Sequence, residues 1–372
     1  MKILQIGKFY PIRGGVEKVM YDLTLGLSEA GIHCDMLCAT TEDHPGGIIT
    51  LNENGRVIAM KTQLKFAATM IAPGMISKLR SIAKEYDVVH IHHPDPMATL
   101  ALFISGYKGK IILHWHSDIL KQKTLLKLYK PLQDWLIKRA DYIVGTTPVY
   151  VNESSFLQHV QNKIDFIPIG VESIASTASK VAQIREKYPN KKIVFSLGRL
   201  VEYKGYAYLV EAANYLTDDY IVLIGGMGPL KEELQASIDK NGLSNKIELL
   251  GFISDEEVAN YFQACDLFCL SSILKTEAFA IVQIEAMSCA KPVISTDIKG
   301  SGVSWVNSNG ESGLVVPCED SKSLADAIVK IMGSPDYYNE LSQGALDRYS
   351  TQFTRKNMID KCIKLYNKLL LN

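Results

Sequence analysis

No run of eighteen apolar residues occurs in the 372-residue chain, so the sequence carries no stretch able to cross a bilayer as a helix. Net charge is also missing. Forty Lys+Arg balance forty Asp+Glu, which removes the bulk attraction that nucleic-acid-binding proteins show, and no nucleic-acid partner is expected. The seven cysteines lack zinc-site spacing: Cys34 and Cys38, and Cys265 and Cys269, stand four apart among apolar neighbours and read as small buried hydrophobes in a reducing compartment. The start, Met1-Lys2-Ile3-Leu4-Gln5-Ile6, lacks the apolar core and cleavage site of a signal peptide, reads as a first strand, and implies a cytoplasmic protein. Three short motifs are absent as well. Without G-x-G-x-x-G a nicotinamide oxidoreductase is disfavoured, without H-E-x-x-H a zinc hydrolase, and without D-x-D there is no carboxylate pair to present a metal ion to a diphosphate. Neither metal nor cofactor is expected.

What is present is ordinary globular material, 47% hydrophobic and 22% charged. Short apolar runs at 2–6, 34–38, 88–92, 110–114, 142–146, 164–168, 193–197, 220–224, 247–250, 267–270 and 292–294 alternate with amphipathic stretches. Runs apolar on both faces and separated by helical segments predict parallel sheets covered on both sides. A break near 170–190, small and polar at 173–180, divides the chain into two α/β domains, 1–170 and 171–354, each with about six strands in a doubly wound sheet. Residues 355–372 read as a final helix, apolar at Met358, Ile359, Ile363, Leu365, Tyr366 and Leu369, that packs back on the first domain. The first 170 residues hold 19 Lys+Arg against 15 Asp+Glu, and all eight histidines. A mildly basic first half suits anionic lipid or an acidic acceptor, and scatter about zero explains it equally well.

Five motifs fall at strand ends, the edge where open α/β sheets bind ligands. Gly14-Gly15-Val16-Glu17 opens the first helix, where a side-chain-free backbone and a helix N-terminus suit an anion; a plain tight turn is the alternative. Gly198-Arg199 with Lys204-Gly205 follows the strand at 193–197, and two cations there suit a diphosphate. Gly225-Gly226-Met227-Gly228 forms another strand–glycine loop–helix unit. Glu277 and Glu285 stand eight apart; Glu285, two turns into an apolar helix, is expected to be buried and to need a polar partner such as ribose hydroxyls. His114 and His116 share a strand face, and His116, the later one, is the better placed to reach a ligand.

Together these residues resemble family 4 of the retaining glycosyltransferases, which have the GT-B fold: two facing Rossmann-like doubly wound domains with a cleft between them. The likeness runs the whole length and also takes in Lys291-Pro292-Val293-Ile294 and Gly313-Leu314-Val315-Val316-Pro317. It implies transfer of a hexosyl group from a nucleotide-diphosphate sugar, without metal, with retention of configuration. It implies that Arg199 and Lys204 hold the diphosphate beside Gly198 and Gly228, that Glu285 binds ribose, and that Glu277 binds a sugar hydroxyl. Backbone at Phe279, Ala280 and Ile281 would touch sugar and distal phosphate, Gly14 and Gly15 would close over that phosphate, and Phe252 and Ile253 would flank the base. His116 would contact the sugar near the reacting centre.

The chain departs from the family pattern at Ala278, Ala280 and Ala290, where glycine is usual. The first two narrow the room for backbone approach and leave the donor sugar open. Similar enzymes act on lipid-linked acceptors at the inner face of bacterial membranes, which with the polysaccharide mannosyltransferases favours GDP-mannose, then a UDP-sugar, and a glycan or lipid-linked acceptor. Segment 119–139 supports membrane contact: Lys121, Lys123, Lys127, Lys130, Lys138 and Arg139 face a single Asp134 and interleave with Leu125, Leu126, Leu128, Tyr129, Leu132, Trp135 and Leu136. A docked helix with a solvated basic face is the equal alternative. The rival functions are a nucleotide-sugar epimerase, which needs no acceptor, and a non-catalytic sugar-nucleotide binder.

Overall fold

The computed structural model describes residues 1–67, 69–120 and 123–371, with the side chains of Lys123 and Thr124 also outside the description. The chain divides into two compact units, Met1–Gly170 with Arg355–Asn372, and Val171–Thr354.

The N-terminal unit contains β1 (Lys2–Tyr10), β2 (His33–Thr40), β3 (Gly47–Asn52), β4 (Gly55–Met60), β5 (Leu64–Phe66), β6 (Thr69–Ile71), β7 (Val88–His93), β8 (Lys110–Trp115), β9 (Tyr142–Gly145) and β10 (Ile164–Phe166). Eight of them form one sheet in the order β10-β9-β8-β7-β1-β2-β4-β3, while β5 and β6 make a separate hairpin. The pairs are parallel except β3–β4, an antiparallel edge. Strand content thus exceeds the expected six by β3 and β4 in the sheet and by the β5–β6 hairpin; all four lie in 47–71, a stretch with no expected strand. β1 buries Ile3, Leu4 and Ile6, then loses its register between Ile6 and Phe9, where Gly7 and Lys8 take positive φ. The helix Arg355–Leu371 buries Met358, Ile359, Cys362, Leu365, Tyr366 and Leu369 in this unit, and Arg355 pairs with Glu29 at 3.0 Å.

The C-terminal unit contains β11 (Lys192–Leu197), β12 (Tyr220–Gly225), β13 (Ile247–Gly251), β14 (Leu267–Leu270), β15 (Val293–Thr296) and β16 (Gly313–Val316). All are parallel, in the order β13-β12-β11-β14-β15-β16, the 3-2-1-4-5-6 arrangement of a Rossmann half-pair. Its core joins Val194, Val222, Ile224, Leu267 and Ile294 to helix residues such as Leu209, Leu234 and Ile328. Within the stretch expected to be a break, Ala178–Lys187 is a helix tied to this unit by Lys180–Glu257 and by Arg185–Asp266.

Candidate functional site

In a doubly wound sheet the chain leaves in opposite directions from two neighbouring strands, which opens a crevice at their carboxyl ends. In the C-terminal unit those strands are β11 and β14, adjacent in the sheet. The loop after β11 carries Gly198, Arg199 and Lys204, and the loop after β14 carries Glu277, Phe279 and Ala280. Lys204 Nζ lies 2.6 Å from Glu277 Oε2, and both side chains are about nine-tenths buried. Ser272 Oγ donates to the same carboxylate oxygen at 3.0 Å. Ser271 Oγ donates to Lys204 O at 3.0 Å and Ile273 N to Tyr203 O at 2.8 Å, so the two loops are laced together. Lys204 and Glu277, expected to act separately, are one ion pair, and the lysine's charge is already balanced. Arg199 is exposed and its guanidinium makes no hydrogen bond or ion pair among the described residues. That is the one uncompensated cation of the motif.

The glycine loops follow from close packing. Gly198 N donates to Gly225 O at 3.0 Å, Leu200 N to Met227 O at 3.0 Å, and Gly226 N to Gly251 O at 2.7 Å. A Cβ at Gly228 would lie 2.3 Å from Leu200 O, so glycine there is required by the neighbouring loop itself, before any ligand. Phe252 follows β13 with 78% of its surface exposed, whereas Ile253 beside it is buried.

Glu285 requires a correction. The helix starts at Ile281, so Glu285 sits one turn in, not two, and it is partly exposed rather than buried. Ala280, the residue before that helix, has φ 62 and ψ 80, and Ala290 has φ 54. Both alanines occupy left-handed backbone where a Cβ is strained, which is why glycine is the easier residue there. Phe279 is buried edge-on against Phe353, with ring centres 5.9 Å apart, and so offers backbone rather than side chain.

In the N-terminal unit the equivalent crevice is between β1 and β7, which are paired. Lys8 N donates to Asp95 Oδ2 at 2.5 Å, and Asp95 Oδ1 caps the next helix through Ala98 N at 2.9 Å. Burial lowers the Lys8 pKa and raises those of Asp95 and Glu17. Gly14, with φ 121, and Gly15, with φ 60, begin the helix Gly15–Glu29; among the described residues nothing lies within 4 Å of a Cβ at Gly14, so conformation and not crowding demands glycine. Lys8 and Asp95 carry no motif in the sequence. Only the end of an apolar strand marks them.

His116 directly follows β8 and is buried in a stack of imidazoles. Its Nε2 is 2.8 Å from His92 Nδ1, and its ring lies 4.0 Å from that of His114. His92 Nε2 is 2.7 Å from Gln5 Oε1, and His90 Nε2 is 3.2 Å from His114 Nδ1. Gln5 Nε2 donates to Tyr366 Oη at 3.2 Å, and that oxygen lies 2.6 Å from His90 Nδ1. Burial lowers the pKa of His90, His92 and His116 well below the ordinary value and brings His93 and His114 to about 3. The stack is therefore neutral near pH 7. His90, His92 and His114 offer nitrogens within 4.8 Å of one another, the spacing of a metal site. The rings are stacked, with interplanar angles of 10–25°, and their nitrogens are engaged with each other, with His116 and with Gln5 and Tyr366, except His114 Nε2, which is buried without a partner among the described residues.

The helix Lys123–Arg139 docks through Tyr129, Gln133, Leu136 and Ile137. Arg139 is engaged by Gly109 O at 2.6 Å and Asp141 at 3.2 Å, and Lys130 pairs with Asp134 at 2.5 Å. Of the charges expected to meet a membrane, Lys127 and Lys138 remain outward, with Leu128 79% exposed, while Lys121 and the side chain of Lys123 lie outside the description. Among the described residues no helix is long and apolar enough to cross a membrane.

Two Rossmann-like parallel α/β units, each with chemistry at its crevice, define the GT-B class. A model of family 4 glycosyltransferases matches residues 13–173, and one of group 1 glycosyl transferases matches residues 179–348; the chain belongs to this family of glycosyltransferases. It is 32% identical to the O-antigen chain mannosyltransferase C of Escherichia coli, over 100% of this chain and 99% of that protein. It is 31% identical to the D-rhamnosyltransferase WbpZ of Pseudomonas aeruginosa, over 95% and 92%. Its fold superposes on sucrose-phosphate synthase from Thermosynechococcus elongatus with a TM-score of 0.82, at 21% identity and complete coverage of both chains.

Proposed function

We propose that the protein transfers a mannosyl group from GDP-mannose to a glycan or lipid-linked acceptor in the synthesis of a bacterial surface polysaccharide, without metal and with retention of anomeric configuration. The observation that carries this is the uncompensated Arg199 beside the Lys204–Glu277 pair at the crevice of the six-stranded sheet. The mannosyl choice is supported by the E. coli relative's activity; a UDP-sugar is the next donor to try.

In this reading the C-terminal unit is the donor domain and the N-terminal unit the acceptor domain. Arg199 takes the diphosphate oxygens, and Lys204 joins it as Glu277 turns to a sugar hydroxyl. Glu285 takes the ribose, a role for which partial exposure suits it better than burial. Phe252 and Ile253 flank the base, Phe279, Ala280 and Ile281 offer backbone to the sugar, and Gly14 and Gly15 approach the distal phosphate. His116 contacts the sugar as a neutral imidazole. No cofactor is used. The protein works in the cytoplasm, and Lys127, Leu128 and Lys138 touch the inner face of the anionic membrane.

The test is product analysis. Purified protein, GDP-mannose and membrane-extracted acceptor should yield GDP and a glycoside with the donor's anomeric configuration, at an unchanged rate in EDTA. Turnover lost in EDTA and restored by magnesium or manganese contradicts the metal-free mechanism. Interconversion of the nucleotide sugar without an acceptor would instead establish the epimerase reading.

A further inference from the structure

Gln5 lies in the middle of β1, fully buried, in register with His90 on β7. His92 is in register with His114 on β8. An amide in the middle of an apolar strand must satisfy both its ends, and here they face different partners: nitrogen to Tyr366, oxygen to His92. His116 Nδ1 is buried and has no hydrogen-bond partner among the described residues. A neutral imidazole carries one proton, so the orientation of Gln5 decides what His116 presents at that atom. With the amide oxygen toward His92, His92 donates from Nε2 and accepts at Nδ1 from His116 Nε2–H, which leaves His116 Nδ1 as a bare lone pair. With the amide reversed, every proton in the branch moves to the other nitrogen, and Nδ1–H is stranded without an acceptor. Buried orphan N–H groups are the rarer and costlier kind, so the first arrangement is favoured.

We propose that Gln5, anchored by the Tyr366 hydroxyl of the last helix, is a positioning residue that sets the tautomer of His116 through His92, so that His116 Nδ1 accepts a hydrogen bond from a hydroxyl of the sugar being transferred. This rests on the reading of His116 as the sugar-contacting group.

The experiment uses the full-length chain labelled with ¹⁵N-histidine. Long-range proton–nitrogen spectra report which ring nitrogen is protonated, and the His116 signals are assigned by their loss in His116→Gln. In the wild type, His116 is expected as the Nε2–H form. Gln5→Met, of similar volume and without hydrogen bonds, should release it toward the Nδ1–H form and lower kcat at least about tenfold with donor KM nearly unchanged. Gln5→Glu, which keeps an acceptor facing His92, should hold the wild-type tautomer and recover most of kcat. Tyr366→Phe removes only the anchoring hydroxyl and should give a mixture of tautomers; it decides the matter if Gln5→Met does not fold. Nδ1–H in the wild type, or a wild-type tautomer in both Gln5→Met and Tyr366→Phe, overturns the relay. A shifted tautomer with unchanged kcat leaves the relay standing and overturns the contact between His116 and the sugar.

Discussion

The two crevices are built on the same sheet logic with opposite electrostatics. In the C-terminal unit the strands β11 and β14 hold a buried ion pair, Lys204–Glu277, beside the uncompensated Arg199. In the N-terminal unit a stack of four histidines, His90, His92, His114 and His116, together with His93 packed on Trp115, is held neutral by burial. The proposed function makes this a division of labour: the C-terminal unit meets the charge of a diphosphate, while the histidine stack of the other unit presents uncharged hydrogen-bonding groups next to Lys8 and the buried Asp95. The C-terminal unit contains no histidine at all. That makes the contrast open to experiments that strike one unit and spare the other.

Acid should separate the units most strongly. The histidines' folded pKa values are depressed, so below about pH 6.5 the unfolded chain takes up protons that the folded stack refuses. Stability is therefore full above pH 6.5 and is lost as pH falls toward about 3, by up to about 1.4 kcal/mol per pH unit for each group. Asp95 and Glu17, raised by burial, work in the other direction and offset part of the loss at the acid end. Hydrogen exchange at pH 7.5 and 5.5 should show protection falling in β1, β7 and β8 while β11, β12 and β14 keep theirs. Equal loss in both units would erase the contrast.

Next in size is the ion pair. Glu277→Gln keeps the shape and leaves the lysine's charge unbalanced, so nucleoside diphosphate should bind several-fold tighter while kcat falls by about 10²-fold. Parallel losses of affinity and kcat would show that Glu277 merely supports the loop. Arg199→Ala should raise the donor's KM about tenfold, roughly 1.4 kcal/mol, and leave the melting temperature unchanged because the side chain is exposed and unpaired. The smallest effect lies in the backbone. Ala290→Gly should relieve a left-handed alanine and stabilise the C-terminal unit by up to about 1 kcal/mol, read as a shift in the urea midpoint; a clear loss would mean that the extra freedom of the unfolded chain outweighs the strain.

Much of this was legible from residue order alone. Buried parallel strands are continuously apolar, so β1, β2, β7 and β11 to β15 announce themselves, as does the placement of Arg199 and Glu277 just past strand ends, whereas the parallel strands β4 and β16 are not among the expected runs. The edge strand β3 does not announce itself either: it is largely exposed and paired antiparallel on one side only. The Lys204–Glu277 pair joins residues far apart in sequence, and it exists only because β11 and β14 are neighbours in the sheet. Glu285 looked buried because its helix is rich in Ile, Val and Met, yet the helix begins later than its composition suggests and turns that position toward solvent. Gln5 and Tyr366 were hidden for a similar reason: one sits in an apolar strand and the other on the apolar stripe of a helix, and only tertiary packing brings their polar atoms together.

The central claim of the proposed function is that protein charge at the C-terminal crevice, without metal, supplies the main hold on the diphosphate. Calorimetric titration of GDP into the protein in EDTA tests it most directly, with Arg199→Ala and His116→Ala in parallel. The account predicts metal-independent binding that weakens about tenfold in Arg199→Ala and is unchanged in His116→Ala. Binding that appears only with magnesium, or that is lost in His116→Ala and retained in Arg199→Ala, would contradict it.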